Sequence, residues 1–188
     1  MQSSPTNDNA PVIGAKVLAA KVLIVDDDYY TRKVIRTLLA VVGIDNVYDA
    51  IDGASGLDAI CTLRPDVVIL DWDMTDIDGA EFTRRVRSPA EFSYPSVPII
   101  MLAGHGERSR VAEAVRLGVH EFLLKPVSSA ALRNRIVSVL SNPRPMVKRG
   151  DYYGPEPRPL STYKPDAGSY NPRAEQVVAR SPALRIVV

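Results

Sequence analysis

Along the chain, short unbroken apolar runs alternate with stretches in which apolar residues return every three or four positions. The runs are Val22-Leu23-Ile24-Val25, Val47-Tyr48, Val67-Val68-Ile69-Leu70, residues 97–102 and Phe122-Leu123-Leu124. Because successive rather than alternate residues are apolar, they suit strands buried on both faces of a sheet. The helical stripes between them are Val34, Ile35, Leu38, Leu39 and Val42, then Leu57, Ile60 and Cys61, then Phe82 and Val86. Two more follow: Val111, Ala114 and Val115, and finally Leu132, Ile136, Val139 and Leu140. Gly43, Gly104, Gly106 and Gly118 punctuate the joins, and Ser128 is placed to cap the last helix directly after Pro126. Five strand–helix units in succession predict an α/β fold, a parallel sheet with helices on both faces.

Charge divides the chain. The 188 residues carry 23 Lys and Arg against 22 Asp and Glu. Residues 20–142 are net acidic, whereas 143–188 are net basic and hold 8 of the 15 prolines and 4 of the 8 tyrosines. The expected organisation is a polar leader over 1–19, a folded domain over 20–142 and a Pro-rich tail over 143–188. One cysteine, Cys61, excludes an intramolecular disulfide and a Cys-built zinc site. The longest apolar stretch, 12–25, is interrupted by Lys16 and Lys21 and falls short of the ~20 residues a membrane span needs. No basic leader of a signal peptide opens the chain, so a cytoplasmic protein without a membrane segment is expected.

In a parallel sheet of this kind, ligands bind beyond the carboxyl ends of the strands, near the point where the strand order switches. The first strand ends in Asp26-Asp27-Asp28, the third in Asp71 followed by Asp73, the fourth in Ala103-Gly104 and the fifth in Lys125-Pro126. Carboxylates gathered on one rim repel unless a cation sits among them. Oxygen ligands without His or Cys favour a hard ion such as Mg²⁺. A Lys beside a metal-bound carboxylate makes a place for phosphate, and a carboxylate can itself be the nucleophile that forms an acyl phosphate. Asp71, at the end of a central strand, is the candidate. Singly, these residues also read as solvated loop residues or caps: Asp28 is placed to cap the first helix and Asp78 the third.

These motifs together resemble the receiver domain of two-component response regulators, especially the single-domain, chemotaxis-type (CheY-like) members. The matching pieces are 22–28, Ile69-Leu70-Asp71-Trp72-Asp73-Met74 with Asp78-Gly79, 98–102 and Phe122-Leu123-Leu124-Lys125-Pro126, in family order and spacing over about 120 residues. The resemblance implies a flavodoxin-like (βα)5 fold with strand order 2-1-3-4-5, followed here by a Pro-rich C-terminal extension. It implies that Asp71 accepts a phosphoryl group from a histidine kinase's phosphohistidine or a small acyl phosphate. Asp27 and Asp71 would ligate Mg²⁺ directly, Asp26 through water, and Asp73 by its backbone carbonyl. Lys125 would pair with phosphoryl oxygens, and its bond to Pro126 would be cis. The family's output face, the fourth helix, fifth strand and fifth helix, includes Phe122 at the switching aromatic position.

The departures from the family pattern are specific. Ala103 stands where a Thr or Ser hydroxyl normally binds the phosphoryl group, leaving the Gly104 N–H as a donor there. Thr75 replaces the usual Pro after Met74, and His105 falls beside the site. Trp72 reads as a partly exposed neighbour of Asp71. Two other readings stay open. Residues 67–75 fit the hhhhDxDxT signature of haloacid-dehalogenase-type phosphatases, although that family's later Ser or Thr and downstream acidic pair have no counterpart. Ala103 alone supports a pseudo-receiver, a phosphorylation-independent interaction module. No nucleic-acid reader follows the domain, so a protein partner is expected rather than DNA. The tail reads as disordered on its proline content, yet residues 151–158 resemble the aromatic-Gly-Pro-Asp-Arg-Arg segment that follows some alphaproteobacterial single-domain receivers. The tail is therefore also a candidate dimerisation arm, with 175–179 able to form a helical turn and 184–188 β-prone.

Overall fold

The computed structural model describes residues 14–104 and 108–157. His105, Gly106, the first 13 residues and the chain beyond 157, including 175–179 and 184–188, lie outside the described residues. Five parallel strands form the main sheet in the order β2-β1-β3-β4-β5. They are β1 (Val22–Val25), β2 (Val47–Ala50), β3 (Val67–Asp71), β4 (Ile99–Ala103) and β5 (Glu121–Leu124). The helices are α1 (Ala15–Leu18), α2 (Tyr29–Val42), α3 (Gly53–Leu63), α4 (Gly79–Val86), α5 (Arg108–Leu117) and α6 (Ser129–Ser141). This is the flavodoxin-like arrangement expected. Chain order reverses between β1 and β3, whose registers Val22↔Val67 and Val25↔Leu70 bring their carboxyl ends side by side.

Both faces of the central strands are buried, which is why their sequences are apolar without alternation. Val22, Ile24, Val67, Ile69, Ile100 and Leu102 face one cluster, packed with Ile35 and Leu39 of α2 and with Leu132, Ile136, Val139 and Leu140 of α6. Leu23, Val25, Val68, Leu70, Ile99 and Met101 face the other, with Ile60 of α3 and Phe82 and Val86 of α4. Strand β2 departs from the expectation of two buried faces: it is an edge strand, and Tyr48 and Asp49 are exposed. Three stripe positions also turn outward. Val34, Cys61 and Val115 are exposed, because a stripe at i, i+1 or i+4 spans more of the helix circumference than the sheet covers. On α5, Ala112 and Ala114 take the inward positions.

The helix starts follow the caps read from sequence. Asp28 accepts from the Thr31 N–H at 2.6 Å, Asp78 from the Glu81 N–H at 2.7 Å and Ser128 from the Ala131 N–H at 3.1 Å. An additional cap, Asp52, forms a reciprocal pair with Ser55 at the start of α3.

The ordered structure runs past both expected domain edges. In place of a wholly polar leader, α1 buries Val17 against the α2/α6 layer, and Lys16 donates to the Leu140 carbonyl at 3.1 Å. Beyond residue 142, β6 (Met146–Arg149) and β7 (Tyr152–Pro155) form an antiparallel hairpin. It seats at the amino end of β5. Arg144 donates to the carbonyls of His120 and Glu156, and Gly154 meets Gly118 backbone to backbone. Gly118 has φ +86°, and a Cβ there would lie 2.6 Å from the Tyr153 carbonyl oxygen. The prolines fall at the strand margins, where an absent N–H removes no ladder bond. Among the described residues, no helix is long and apolar enough to cross a membrane.

Candidate functional site

The carboxyl ends of β1, β3 and β5 converge on one polar cluster. Carboxylate oxygens of Asp26, Asp27 and Asp71 all lie within 4.8 Å of one another. Lys125, just past β5, reaches in from the side, its Nζ 2.7 Å from Asp71 Oδ1 and 3.4 Å from Asp26 Oδ2. Backbone donors complete the anchoring. The Trp72 N–H donates to Asp71 Oδ1 at 2.9 Å, and the Asp28 N–H to Asp26 Oδ1 at 2.8 Å. Helix α4 presses closely on this corner. A Cβ at residue 79 would sit 2.6 Å from the Asp71 carbonyl oxygen, so only glycine lets the helix start there, with the Gly79 N–H on the Trp72 carbonyl.

Asp26 and Asp71 are buried, and Asp27 is half-buried. Burial and the neighbouring Asp71 charge push the Asp26 carboxyl up to about 6, against the opposing pull of Lys125. Burial likewise raises Asp71, although its hydrogen bond to Lys125 works the other way. Burial alone would lower Lys125; its hydrogen bond to Asp71 and the charges of both carboxylates outweigh that and hold it above the ordinary lysine value. One ammonium cannot balance three carboxylates. The donor set, three carboxylates at two strand ends with no nitrogen or sulfur ligand, suits a small hard divalent cation that keeps several waters. The observed geometry therefore fits the Mg²⁺ expected from sequence.

The other expected site residues occupy distinct places. Asp73 is exposed on the loop after β3, and Asp28 is committed to capping α2. Ala103 ends β4 with its side chain fully buried, and its carbonyl accepts the Lys125 N–H at 2.7 Å. Gly104 follows with open space around it. Phe122 is half-buried on β5 and packs against the α3/α4/α5 layer. The Lys125–Pro126 bond is cis. Trp72 is a correction: it is buried, 5% exposed, because the apolar register of β3 continues past Asp71 into the same layer.

Three polar residues escaped the sequence reading as parts of the architecture. Arg32 of α2 is buried and donates to the Asp26 backbone carbonyl at 2.7 Å, steadying the loop that carries the acidic pair. Arg87 and His120 lie at the opposite end of the sheet and serve the hairpin seat. Thr75 was visible only as a substitution for proline. Its N–H and hydroxyl both donate to Asp27 Oδ2, at 2.9 and 3.1 Å.

A parallel sheet of order 2-1-3-4-5 with this acidic corner at its switch point defines a receiver-type signalling module. The family profile described as "Response regulator receiver domain" matches residues 22–137, and the chain belongs to that family. It is 34% identical over 122 residues to a chemotaxis protein CheY homolog of Campylobacter jejuni, covering 64% of this chain and 92% of that one. It is 32% identical over 123 residues to chemotaxis protein CheY1 of Helicobacter pylori, covering 64% and 96%. Among solved structures it is similar to CheY4 of Vibrio cholerae, with 32% identity, a TM-score of 0.58 and coverage of 65% of this chain and 99% of that one. The family assignment replaces the haloacid-dehalogenase reading of residues 67–75. Helix α1 and the hairpin β6–β7 lie outside the matched residues.

Proposed function

We propose that the chain is a single-domain, CheY-like response regulator of a two-component system, whose Asp71 takes a phosphoryl group from a sensor histidine kinase in a Mg²⁺-dependent reaction. One observation carries this reading: Asp71 Oδ1 is held 2.7 Å from Lys125 Nζ inside a three-carboxylate corner. Oδ1 also receives the Trp72 N–H, so Oδ2 is the oxygen presented to phosphorus. Its attack forms the O–P bond as the P–N bond of the phosphohistidine breaks and the imidazole leaves. Lys125 stays in place to meet the charge on the transferred oxygens. Asp26, Asp27, Asp71 and the Asp73 carbonyl would hold Mg²⁺, which supplies charge neutralisation at the phosphoryl group. The chain acts as a phosphoacceptor rather than a turnover enzyme, and similarity to chemotaxis regulators over nearly their whole length supports an output through protein contact in the cytoplasm.

Readout without a hydroxyl at Ala103 falls to the Gly104 N–H and to the face built from α5, β5 and α6, including Phe122. That face, or the C-terminal segment, is the candidate surface for a downstream protein or a second copy of the chain. Ala103 is also the one observation favouring a phosphorylation-independent module. Intact mass after incubation with acetyl phosphate separates the two. A Mg²⁺-dependent phosphoryl adduct absent from Asp71→Asn is expected; no adduct in the unaltered chain would favour the phosphorylation-independent module.

A further inference from the structure

We propose that Thr75 is a positioning residue that presets Asp27 for capture of a divalent cation, an inference that rests on the metal-dependent reading above. The three carboxylates of the corner are not held alike. Asp26 and Asp71 are each fixed by a backbone N–H and by Lys125. Asp27 is the half-buried one, and Lys125 does not bond it. Its hydrogen bonds come from Thr75, whose N–H and hydroxyl converge on the single oxygen Oδ2.

Like charges within 4.8 Å push the most mobile of the three outward. Asp27 has solvent to escape into, and Thr75, 48 residues along the chain on the neighbouring loop, is what holds it against that repulsion. The rotamer held keeps a carboxylate oxygen of Asp27 within 4.8 Å of those of Asp26 and Asp71, and both Thr75 donors fall on Oδ2 rather than Oδ1. The Thr75 bonds therefore preorganise the site rather than latch it shut. A proline at this position, the residue the family usually carries there, has neither N–H nor hydroxyl, so the device belongs to this chain. Thr75 is exposed, which limits the effect to about one order of magnitude, as hydrogen bonds to a charged group at a wet site contribute modestly.

The test is Mn²⁺ binding to the full chain followed by electron paramagnetic resonance of the free ion, with Mg²⁺ as competitor. Thr75→Pro removes both donors and should weaken binding about tenfold; Thr75→Val keeps the N–H and should weaken it about threefold. Thr75→Ser keeps both and should bind within twofold of the parent. Melting temperature in metal-free buffer serves as the control, since a merely structural threonine would lower stability without this graded series in affinity. Parent and Thr75→Pro binding Mn²⁺ equally, or the variant binding more tightly, would overturn the role of Thr75 while leaving the phosphoacceptor reading intact. A parent chain that binds neither ion at millimolar concentration would overturn the metal-dependent reading and this inference with it.

Discussion

The two ends of the sheet each hold a cation, half-buried Lys125 at one and buried Arg87 at the other, and the partners of those cations differ. At the carboxyl end, Lys125 faces Asp71 and Asp26. At the amino end, Arg87, following α4, donates to the carbonyls of Gly118 at 2.9 Å, Pro95 at 2.5 Å and Val97 at 2.9 Å. Its NH2 also lies 3.3 Å from His120 Nδ1, which receives the Ile99 N–H as well, so that ring nitrogen is an acceptor. Burial lowers Arg87 to about 10, which still leaves it charged at neutral pH. A guanidinium surrounded by carbonyls ties the α4–β4 loop to the α5–β5 loop, and the hairpin β6–β7 rests on the result. A lysine among surplus carboxylates leaves a negative imbalance that a divalent cation can relieve. One end has its cation matched by carbonyls, the other has carboxylates in excess of its cation.

Breaking the amino end should have the largest effect on stability. Arg87→Met orphans three carbonyls and should cost about 3 kcal/mol or more, read as a lower urea midpoint. Provided the chain remains folded, adduct formation at Asp71 should survive, which separates the two ends. A midpoint shift under 1 kcal/mol would show that the carbonyls find other partners.

The carboxyl end should respond in the opposite direction. The folded state binds the Asp26 proton more tightly than the unfolded chain, whose ordinary value is 3.8 against about 6 in the fold. In metal-free buffer that contribution is complete below pH 3.8 and is lost as pH rises through about 6. Asp26→Asn should therefore stabilise the metal-free protein at pH 7, by on the order of 1–3 kcal/mol, and flatten this pH dependence. Loss of stability in that variant would mean the charged Asp26 is a net stabiliser through Lys125.

Gly118→Ala should be the mildest of the three. The positive φ and the 2.6 Å approach to Tyr153 O should cost about 1–2 kcal/mol and loosen the hairpin locally. Hydrogen exchange should quicken at the amides of 146–154 with little change around Asp71. Equal acceleration at both ends would contradict their independence.

The same contrast governs what sequence reveals. The carboxyl end is legible because its chemistry sits on strand ends: an apolar run followed at once by Asp26-Asp27 or Asp71 states both the strand and the rim. The amino end is not. Arg87 looks like any helix-terminal arginine, and its role depends on three carbonyls from two loops that only the fold brings together. The hairpin was hidden by its prolines, which read as breakers although Pro145 lies just outside β6 and Pro155 closes β7, where Glu156 N–H returns to the Pro145 carbonyl at 2.8 Å. Helix α1 has only four residues, too few to show a period. Trp72 looks outward-facing beside the acidic rim, yet it continues the alternation of Val68 and Leu70 into the same buried layer. Thr75 shows the limit most clearly: its departure from proline was readable, but the target of its donors was not.

The central claim is that the phosphoryl group lands on Asp71, and its position can be read directly. Sodium borohydride reduces an acyl phosphate to an alcohol and leaves phosphate esters intact, so reduction of the acetyl-phosphate-treated protein followed by peptide mass spectrometry marks the acceptor. The account predicts homoserine at residue 71 and nowhere else. Reduction at Asp26 or Asp27, or a phosphoryl group that survives on a hydroxyl such as that of Thr75, would contradict it.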